Sequence, residues 1–224
     1  MLDLSKSYDF FQPEKDDSMI HIVGCGSVGS TVAENLARCG VKNFTLWDFD
    51  DVEPHNIVNQ MFRQQDVGRP KVEALRDILI EINPELSNSI KLKPKGWNGE
   101  MLSGYIFLAV DSIEIRKKII ETIFNNVYVK AVFDFRTLLE SAQSYAADWS
   151  SRELRQNLLN SMQFSHDEAA EETPVSACGV TLGVATVVRI IAALGVDNYI
   201  NFVKGKGIKK FIQIDAFNYI LDAF

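Results

Sequence analysis

Short apolar runs alternate with amphipathic stretches along the first 134 residues of the chain. Strands are predicted at residues 19–23, 43–48, 89–94, 104–110 and 127–133, and the runs 19–23 and 104–110 are apolar enough for buried strands. Apolar positions at helical spacing occupy residues 27–39, 70–83 and 113–123. This regular alternation predicts a parallel sheet with helices on both of its faces.

The pattern changes beyond Asp134. It predicts a strand over residues 141–149, a surface helix over 151–162, an acidic loop over 167–172 and a long apolar helix over 175–194. Two closing strands, expected to be antiparallel, follow at residues 208–214 and 217–221. The predicted fold class is therefore α/β, a Rossmann-like three-layer fold with a mostly parallel sheet and antiparallel strands at the C-terminal end.

A single domain is expected for the whole chain, residues 1–224, because this length buries one substantial core. Residues 1–18 are polar and suit an N-terminal arm that packs on the domain or on a partner subunit. The change of rhythm divides the remainder into residues 19–134 and residues 135–224.

Charge and cysteine content exclude several classes of function. The formal charge of −7 argues against nucleic-acid binding, which normally needs a basic face. No signal peptide is apparent, and the apolar stretch 175–191 contains Arg189, so we interpret it as a buried helix of a cytoplasmic protein rather than a membrane span. Three scattered cysteines predict neither a disulfide framework nor a structural zinc site.

A glycine-rich turn follows the first predicted strand. Gly24, Gly26 and Gly29 form a G-x-G-x-x-G pattern, and Ser27 begins the next helix. In such a turn the glycines let the backbone approach a phosphate, and the helix N-terminus stabilises its charge. Asp48 ends the second strand, where an acidic residue meets ribose hydroxyls. These features predict a nucleotide site but leave NAD and ATP equally open.

The next segment distinguishes the two nucleotides. Its matching pieces are Asp48-Phe-Asp50, Val52, Asn56-Ile57, Asn59-Gln60, Met61-Phe62, Asp66-Val-Gly-Arg-Pro-Lys71 and, later, Asp111-Ser-Ile-Glu-Ile-Arg116. This series resembles the ThiF/MoeB/HesA family, which includes the adenylation domains of ubiquitin-activating enzymes. The resemblance is specific from about residue 20 to residue 116 and looser over residues 174–194.

The resemblance implies roles for these residues. Asp48 would hold the ribose, Asn56 and Gln60 would line the phosphate path beside Asn59, and Lys71 would contact the triphosphate. Asp111 would coordinate magnesium, for which Asp50 could provide a second carboxylate. Attack of a carboxylate on the α-phosphorus expels pyrophosphate, so cations and backbone amides are needed where negative charge develops. Taken alone, Lys71 could be solvated and Asp111 could cap the following helix. We interpret His55 as a loop residue and His21 as a core histidine.

The sequence departs from the family pattern at three places. Asn59 stands where the family has an arginine, and we hypothesise that Arg63 replaces that arginine as a catalytic residue. The zinc-binding cysteine pairs of bacterial members are missing. Residues 133–173, which should include the family's crossover segment, contain no cysteine, so Cys178 is either a packing residue or the thiol that forms a thioester or persulfide.

The resemblance implies an adenylyltransferase that uses ATP and Mg²⁺. Its substrate would be the C-terminal carboxylate of a small ubiquitin-like or sulfur-carrier protein, or of a peptide. Residues 19–134 would be the nucleotide-binding half, and residues 135–224 would serve the substrate and a homodimer contact. Two alternatives stay open at this stage, an NAD-dependent oxidoreductase and a catalytically silent nucleotide-binding scaffold.

Overall fold

A computed structural model describes residues 2–163 and 183–224 of the chain. The helices are α1 (Ser27–Arg38), α2 (Lys71–Ile82), α3 (Ile113–Ile123), α4 (Arg152–Asn160) and α5 (Ala185–Val203). The strands are β1 (Ile20–Val23), β2 (Phe44–Trp47), β3 (Ile90–Lys93), β4 (Gly104–Leu108), β5 (Val129–Thr137), β6 (Ser141–Asp148), β7 (Phe211–Asp215) and β8 (Ile220–Ala223).

All eight strands join one sheet in the order β3-β2-β1-β4-β5-β6-β7-β8. Neighbours from β3 to β5 pair in parallel, and those from β5 to β8 pair antiparallel. Helices α1, α2 and α5 contribute to the apolar core on one face, and α3 and α4 to the core on the other. The predicted three-layer α/β fold with antiparallel C-terminal strands is confirmed.

The local sequence explains where α1, α2 and α3 begin. Gly26 precedes α1, and Pro70 directly precedes α2. The hydroxyl of Ser112 accepts a hydrogen bond from the Ile115 amide and caps α3.

Strands β1, β2 and β4 are buried at every position, as expected for central strands covered on both faces. Because these three strands run parallel, their carboxyl ends meet at one edge of the sheet.

The long C-terminal helix is displaced from its predicted position. It begins at Ala185 rather than residue 175, since residues 183 and 184 are not helical, and it continues to Val203 rather than ending at residue 194. Its apolar face extends through buried Tyr199, and Gly205 follows with a φ of +73° that ends the helix. The predicted acidic loop and residues 175–182 lie outside the described residues.

Helix α5 is also the one described helix long and apolar enough to cross a membrane. Half of its most apolar 18-residue window is buried, and it packs against α1, β5 and β6. We therefore interpret α5 as a core helix.

The N-terminal arm packs on the chain's own domain. Phe11 is buried in the core, and its ring meets Tyr199 edge to face at 6.2 Å. Asp16 accepts hydrogen bonds from the Tyr105 hydroxyl at 2.6 Å and the Lys130 ammonium at 2.9 Å. Burial opposes the charge of Asp16, but hydrogen bonds from Ser18, Tyr105 and Lys130 outweigh it and lower its pKa to about 2. The arm is thus anchored at its end.

Candidate active site

The three glycines of the turn after β1 serve different purposes. A Cβ at Gly24, whose φ is +93°, would lie 2.5 Å from the Ala109 carbonyl oxygen. A Cβ at Gly29 would lie 1.8 Å from the Gly24 carbonyl oxygen. Both positions must be glycine for close packing, whereas a Cβ at Gly26 would meet no atom within 4 Å. Gly26 precedes α1, which has no side-chain cap among the described residues, so its first amides face an open approach.

Asp48 is fixed beside this turn. One carboxylate oxygen accepts the Cys25 amide at 2.6 Å, and the other accepts the Asp50 amide at 2.9 Å. Burial raises the pKa of Asp48 despite these two bonds. Each carboxylate oxygen still has a lone pair, which a ribose hydroxyl can use.

Lys71 lies on the β2 side of the glycine turn. Its side chain is 9% exposed, and its ammonium contacts Asp50 Oδ2 at 2.7 Å. The backbone amide of Lys71 also donates to the Asp50 carbonyl oxygen at 2.9 Å. Burial raises the pKa of both Cys25 and Asp48, and the positive charge of Lys71 partly opposes that rise in each. Since an ammonium has three donors, two remain for an anionic ligand.

Asp111 lies on the opposite, β4 side of the turn. It follows Ala109 and Val110, the residues whose backbone approaches Gly24 most closely. Its side chain is exposed and has no hydrogen bond or ion pair to any residue in the described ranges. Ser112 caps α3, so the interpretation of Asp111 as the helix cap is wrong. Lys71 and Asp111 therefore flank the same glycine turn at one edge of the sheet.

The loop after Asp50 is folded by its own side chains. Asn56 is buried, and its Oδ1 accepts the Glu53 amide at 2.9 Å. The Met61 amide donates to Ser30 Oγ at 3.2 Å, which ties the loop to the first turns of α1. Gln60 Oε1 is buried without a hydrogen-bond partner among the described residues. Within the described residues this oxygen keeps its lone pairs for a hydrogen-bond donor.

Two predicted nucleotide contacts have other partners here. Asn59 Nδ2 donates to the Gly183 carbonyl oxygen at 3.3 Å. Arg63 pairs with Asp66 at 3.0 Å and Glu81 at 2.6 Å, and both contacts raise its already high pKa. Arg63 lines a cleft of about 560 Å³ with Leu2, Glu34, Arg38, Met61, Ile78, Glu81 and Ile82. The structure thus provides no support for Arg63 as a replacement for the family arginine.

A buried ionic network beneath the β4 end was not predicted from the sequence. Asp134, fully buried, lies between the guanidinium groups of Arg116 and Arg136. Arg136 also donates hydrogen bonds to the carbonyl oxygen and the hydroxyl of Ser161, both at 2.9 Å. Arg116 was recognisable from its spacing after Asp111, and Asp134 from its position near the carboxyl end of β5, but nothing in the sequence pairs them.

The histidines and cysteines have structural roles where they are described. The ring of His21 is buried and accepts the Trp47 indole N–H at 3.1 Å, and burial lowers its pKa to about 4. His55 is exposed and lies 3.4 Å from Glu53. Both interpretations of the histidines are confirmed. Burial raises the pKa of the Cys25 thiol, and Cys178 lies outside the described residues.

Comparisons with known proteins identify a family for the chain. The family model described as "ThiF family" matches residues 11–224. Over 70 residues the chain is 44% identical to ubiquitin-like modifier-activating enzyme 5 of Caenorhabditis briggsae, covering 31% of this chain and 16% of that protein. Over 84 residues it is 42% identical to the molybdopterin-synthase adenylyltransferase of Escherichia coli, covering 37% and 34%.

Solved structures show the same fold. The E. coli MccB structure with ATP superposes with a TM-score of 0.74 at 18% identity, covering 95% of this chain and 65% of MccB. The PaaA structure gives a TM-score of 0.71 at 19% identity, covering 99% of this chain and 68% of PaaA. The matched segments span no more than about a third of the curated relatives named above. Because the family model covers nearly the whole sequence, the chain belongs to the ThiF family.

Proposed function

We propose that this chain is an adenylyltransferase that activates a carboxylate with ATP and releases pyrophosphate. The observation that carries the proposal is the open glycine turn with a buried ammonium on one side and, on the other, a carboxylate that has no partner among the described residues. Asp48 supplies the ribose contact beside them. Its family membership and the ATP-bound MccB structure, which shares the fold, support the same nucleotide.

The reaction assigns a task to each group. A carboxylate oxygen of the substrate attacks the α-phosphorus, a new phosphorus–oxygen bond forms, and the bond to the β-phosphate oxygen breaks. The acyl group is then joined to AMP, and pyrophosphate leaves with the electron pair. Lys71 and the first amides of α1 stabilise the negative charge that accumulates on the phosphates. Gln60 Oε1, which has no partner among the described residues, would accept a hydrogen bond from the nucleotide.

A magnesium ion bound with ATP fits the site. No cluster of three or more His, Cys, Asp or Glu side chains suited to a metal occurs within residues 2–163 and 183–224. Mg²⁺ needs no such cluster, since it keeps several waters and binds through one or two carboxylates together with phosphates. Asp111 would hold it, whereas Asp50 Oδ2 already pairs with Lys71. Bound there, the ion would offset phosphate charge during pyrophosphate release.

The names of the relatives support a substrate class. One is named an activating enzyme for a ubiquitin-like modifier, another acts on molybdopterin synthase, and MccB has been solved with MccA. We therefore propose the C-terminal carboxylate of a small ubiquitin-like or sulfur-carrier protein, or of a peptide. We also propose that the protein is cytoplasmic and forms a homodimer. Light scattering of the purified protein would test the homodimer.

Thermal unfolding with different nucleotides tests the nucleotide assignment. A ligand that binds only the folded chain raises its stability, by about 2.7 kcal/mol at a hundredfold excess over Kd. ATP with Mg²⁺ should raise the unfolding temperature, and NAD at equal concentration should leave it unchanged. Stabilisation by NAD and none by ATP would replace this proposal with the oxidoreductase alternative.

A further inference from the structure

Asp111 lies in the loop between β4 and α3, and the buried guanidinium of Arg116 holds this loop. Arg116 donates to the carbonyl oxygen of Leu108 at 3.4 Å and to that of Val110. Leu108 is the last residue of β4, and Val110 immediately precedes Asp111. On the loop's other side, Ala109 lies against the backbone of Gly24. The residues before Asp111 are therefore clamped between Arg116 and the glycine turn.

Arg116 is itself held in place from β5. It donates to the Phe135 carbonyl oxygen at 2.8 Å and to Asp134, whose carboxylate is fully buried. Asp134 is also bound by Arg136, through Nε at 2.9 Å and Nη2 at 2.8 Å. The Arg116 side chain is 8% exposed, so water hardly competes for its donors. A planar fork with five donors suits several fixed acceptors, whereas a lysine offers one point charge.

We propose that Arg116 is a positioning residue, which Asp134 orients, and that it sets the affinity for the nucleotide's metal ion by fixing the loop that bears Asp111. Asp111 has no side-chain partner in the described part of the chain, so within that part its backbone sets the position of its carboxylate. Groups that orient a metal ligand typically contribute 10- to 100-fold in metal affinity. The metal part of this inference rests on the proposed function, whereas the clamp on the loop does not.

The test replaces Arg116 with lysine, which keeps the charge but loses the fork. Arg155→Lys is the matched control, because Arg155 also donates to a main-chain carbonyl, that of Phe124 at 2.6 Å, and lies between helices away from the glycine turn. Two quantities are measured for each variant. The first is the Mg²⁺ concentration that half-saturates the stabilisation by a fixed ATP concentration. The second is hydrogen exchange of the peptide spanning residues 108–116 without ligand.

Arg116→Lys should need at least tenfold more Mg²⁺ than the wild type and should exchange faster over residues 108–116. Arg155→Lys should lower the unfolding temperature and leave both quantities unchanged. If Arg116→Lys loses stability yet keeps the wild-type Mg²⁺ requirement, Arg116 serves only packing and the inference is wrong. Should that variant not fold, Asp134→Asn keeps the shape of the side chain and must show the same increase, or the inference fails.

The two proposals fail in different ways. If Mg²⁺ does not change ATP binding by the wild-type protein, the metal assignment of Asp111 is lost, and with it the metal part of the inference. Hydrogen exchange then still decides whether Arg116 clamps the loop. If the wild type responds to Mg²⁺ and Arg116→Lys responds equally, the proposed function stands and only the positioning role is refuted.

Discussion

Replacing Gly26 with alanine separates nucleotide binding from folding. Gly26 has φ −75° and ψ −145°, and a Cβ there would meet no atom within 4 Å. The substitution therefore introduces no clash and needs no positive φ. We expect the free energy of unfolding of Gly26→Ala to stay within about 1 kcal/mol of the wild type.

Its effect on ATP is expected to be much larger. The new methyl group stands about 1.5 Å from Cα, in the space through which a phosphate must approach the α1 amides. Losing one charge-assisted hydrogen bond to that phosphate costs about 1.5–3 kcal/mol. The Kd for ATP should therefore rise about 10- to 150-fold.

Calorimetric titration with ATP and Mg²⁺, combined with thermal unfolding, measures both effects. Gly205→Ala is the control, because Gly205 has open space but a φ of +73° after α5. It should lose about 1 kcal/mol of stability to backbone strain and bind ATP normally. Wild-type ATP affinity in folded Gly26→Ala would refute the reasoning that the glycine turn receives phosphate.

Three other predictions concern stability. Folded His21 has a pKa of about 4 against 6.5 in the unfolded chain, so the unfolded chain binds the proton first as the pH falls. The protein is therefore fully stable in this respect above pH 6.5 and loses about 3 kcal/mol of unfolding free energy as the pH falls to 4. Denaturant titrations across that range give the free energy of unfolding at each pH. Its dependence on pH should be weaker in His21→Gln than in the wild type, and an equally steep dependence would exclude His21 as the cause. Asp16→Asn should lower stability by about 1–2 kcal/mol and expose the N-terminal arm to protease, with ATP affinity unchanged; an equally protected arm would show that Asp16 does not anchor it. Arg63→Ala removes one of the two arginine side chains that pair with the buried Asp66 and should cost about 1–3 kcal/mol without weakening ATP binding, whereas a selective loss of ATP affinity would support the predicted catalytic role of Arg63.

Much of the fold was predictable because its signals are local. Glycines at fixed offsets mark the turn after β1, and apolar runs of strand length mark β1, β2 and β4. Parallel strands align their carboxyl ends, so the sequence alone indicates that Asp48 and Asp111 share an edge with Gly24. The position of Lys71 followed from the family motif rather than from periodicity.

The sequence is less informative where a partner lies far along the chain. The spacing from Asn59 matches Arg63 to the phosphate path, a role that stays a prediction, whereas in the structure Glu81 at the end of α2 lies 2.6 Å away and binds its guanidinium. Arg116 and Asp134 come from different elements, α3 and β5, and no local pattern announces that they pair. The end of α5 was placed too early, because burial of Tyr199 against the sheet continues the helix.

Exchange of labelled pyrophosphate into ATP tests the central claim most directly. The assay would supply each candidate ubiquitin-like protein, sulfur-carrier protein or peptide as the carboxylate donor. The proposed function predicts substrate-dependent exchange in the wild type and its loss in Lys71→Ala and Asp111→Ala, both still folded. Undiminished exchange in these two variants would contradict the assigned site, and no exchange with any donor would favour the silent scaffold.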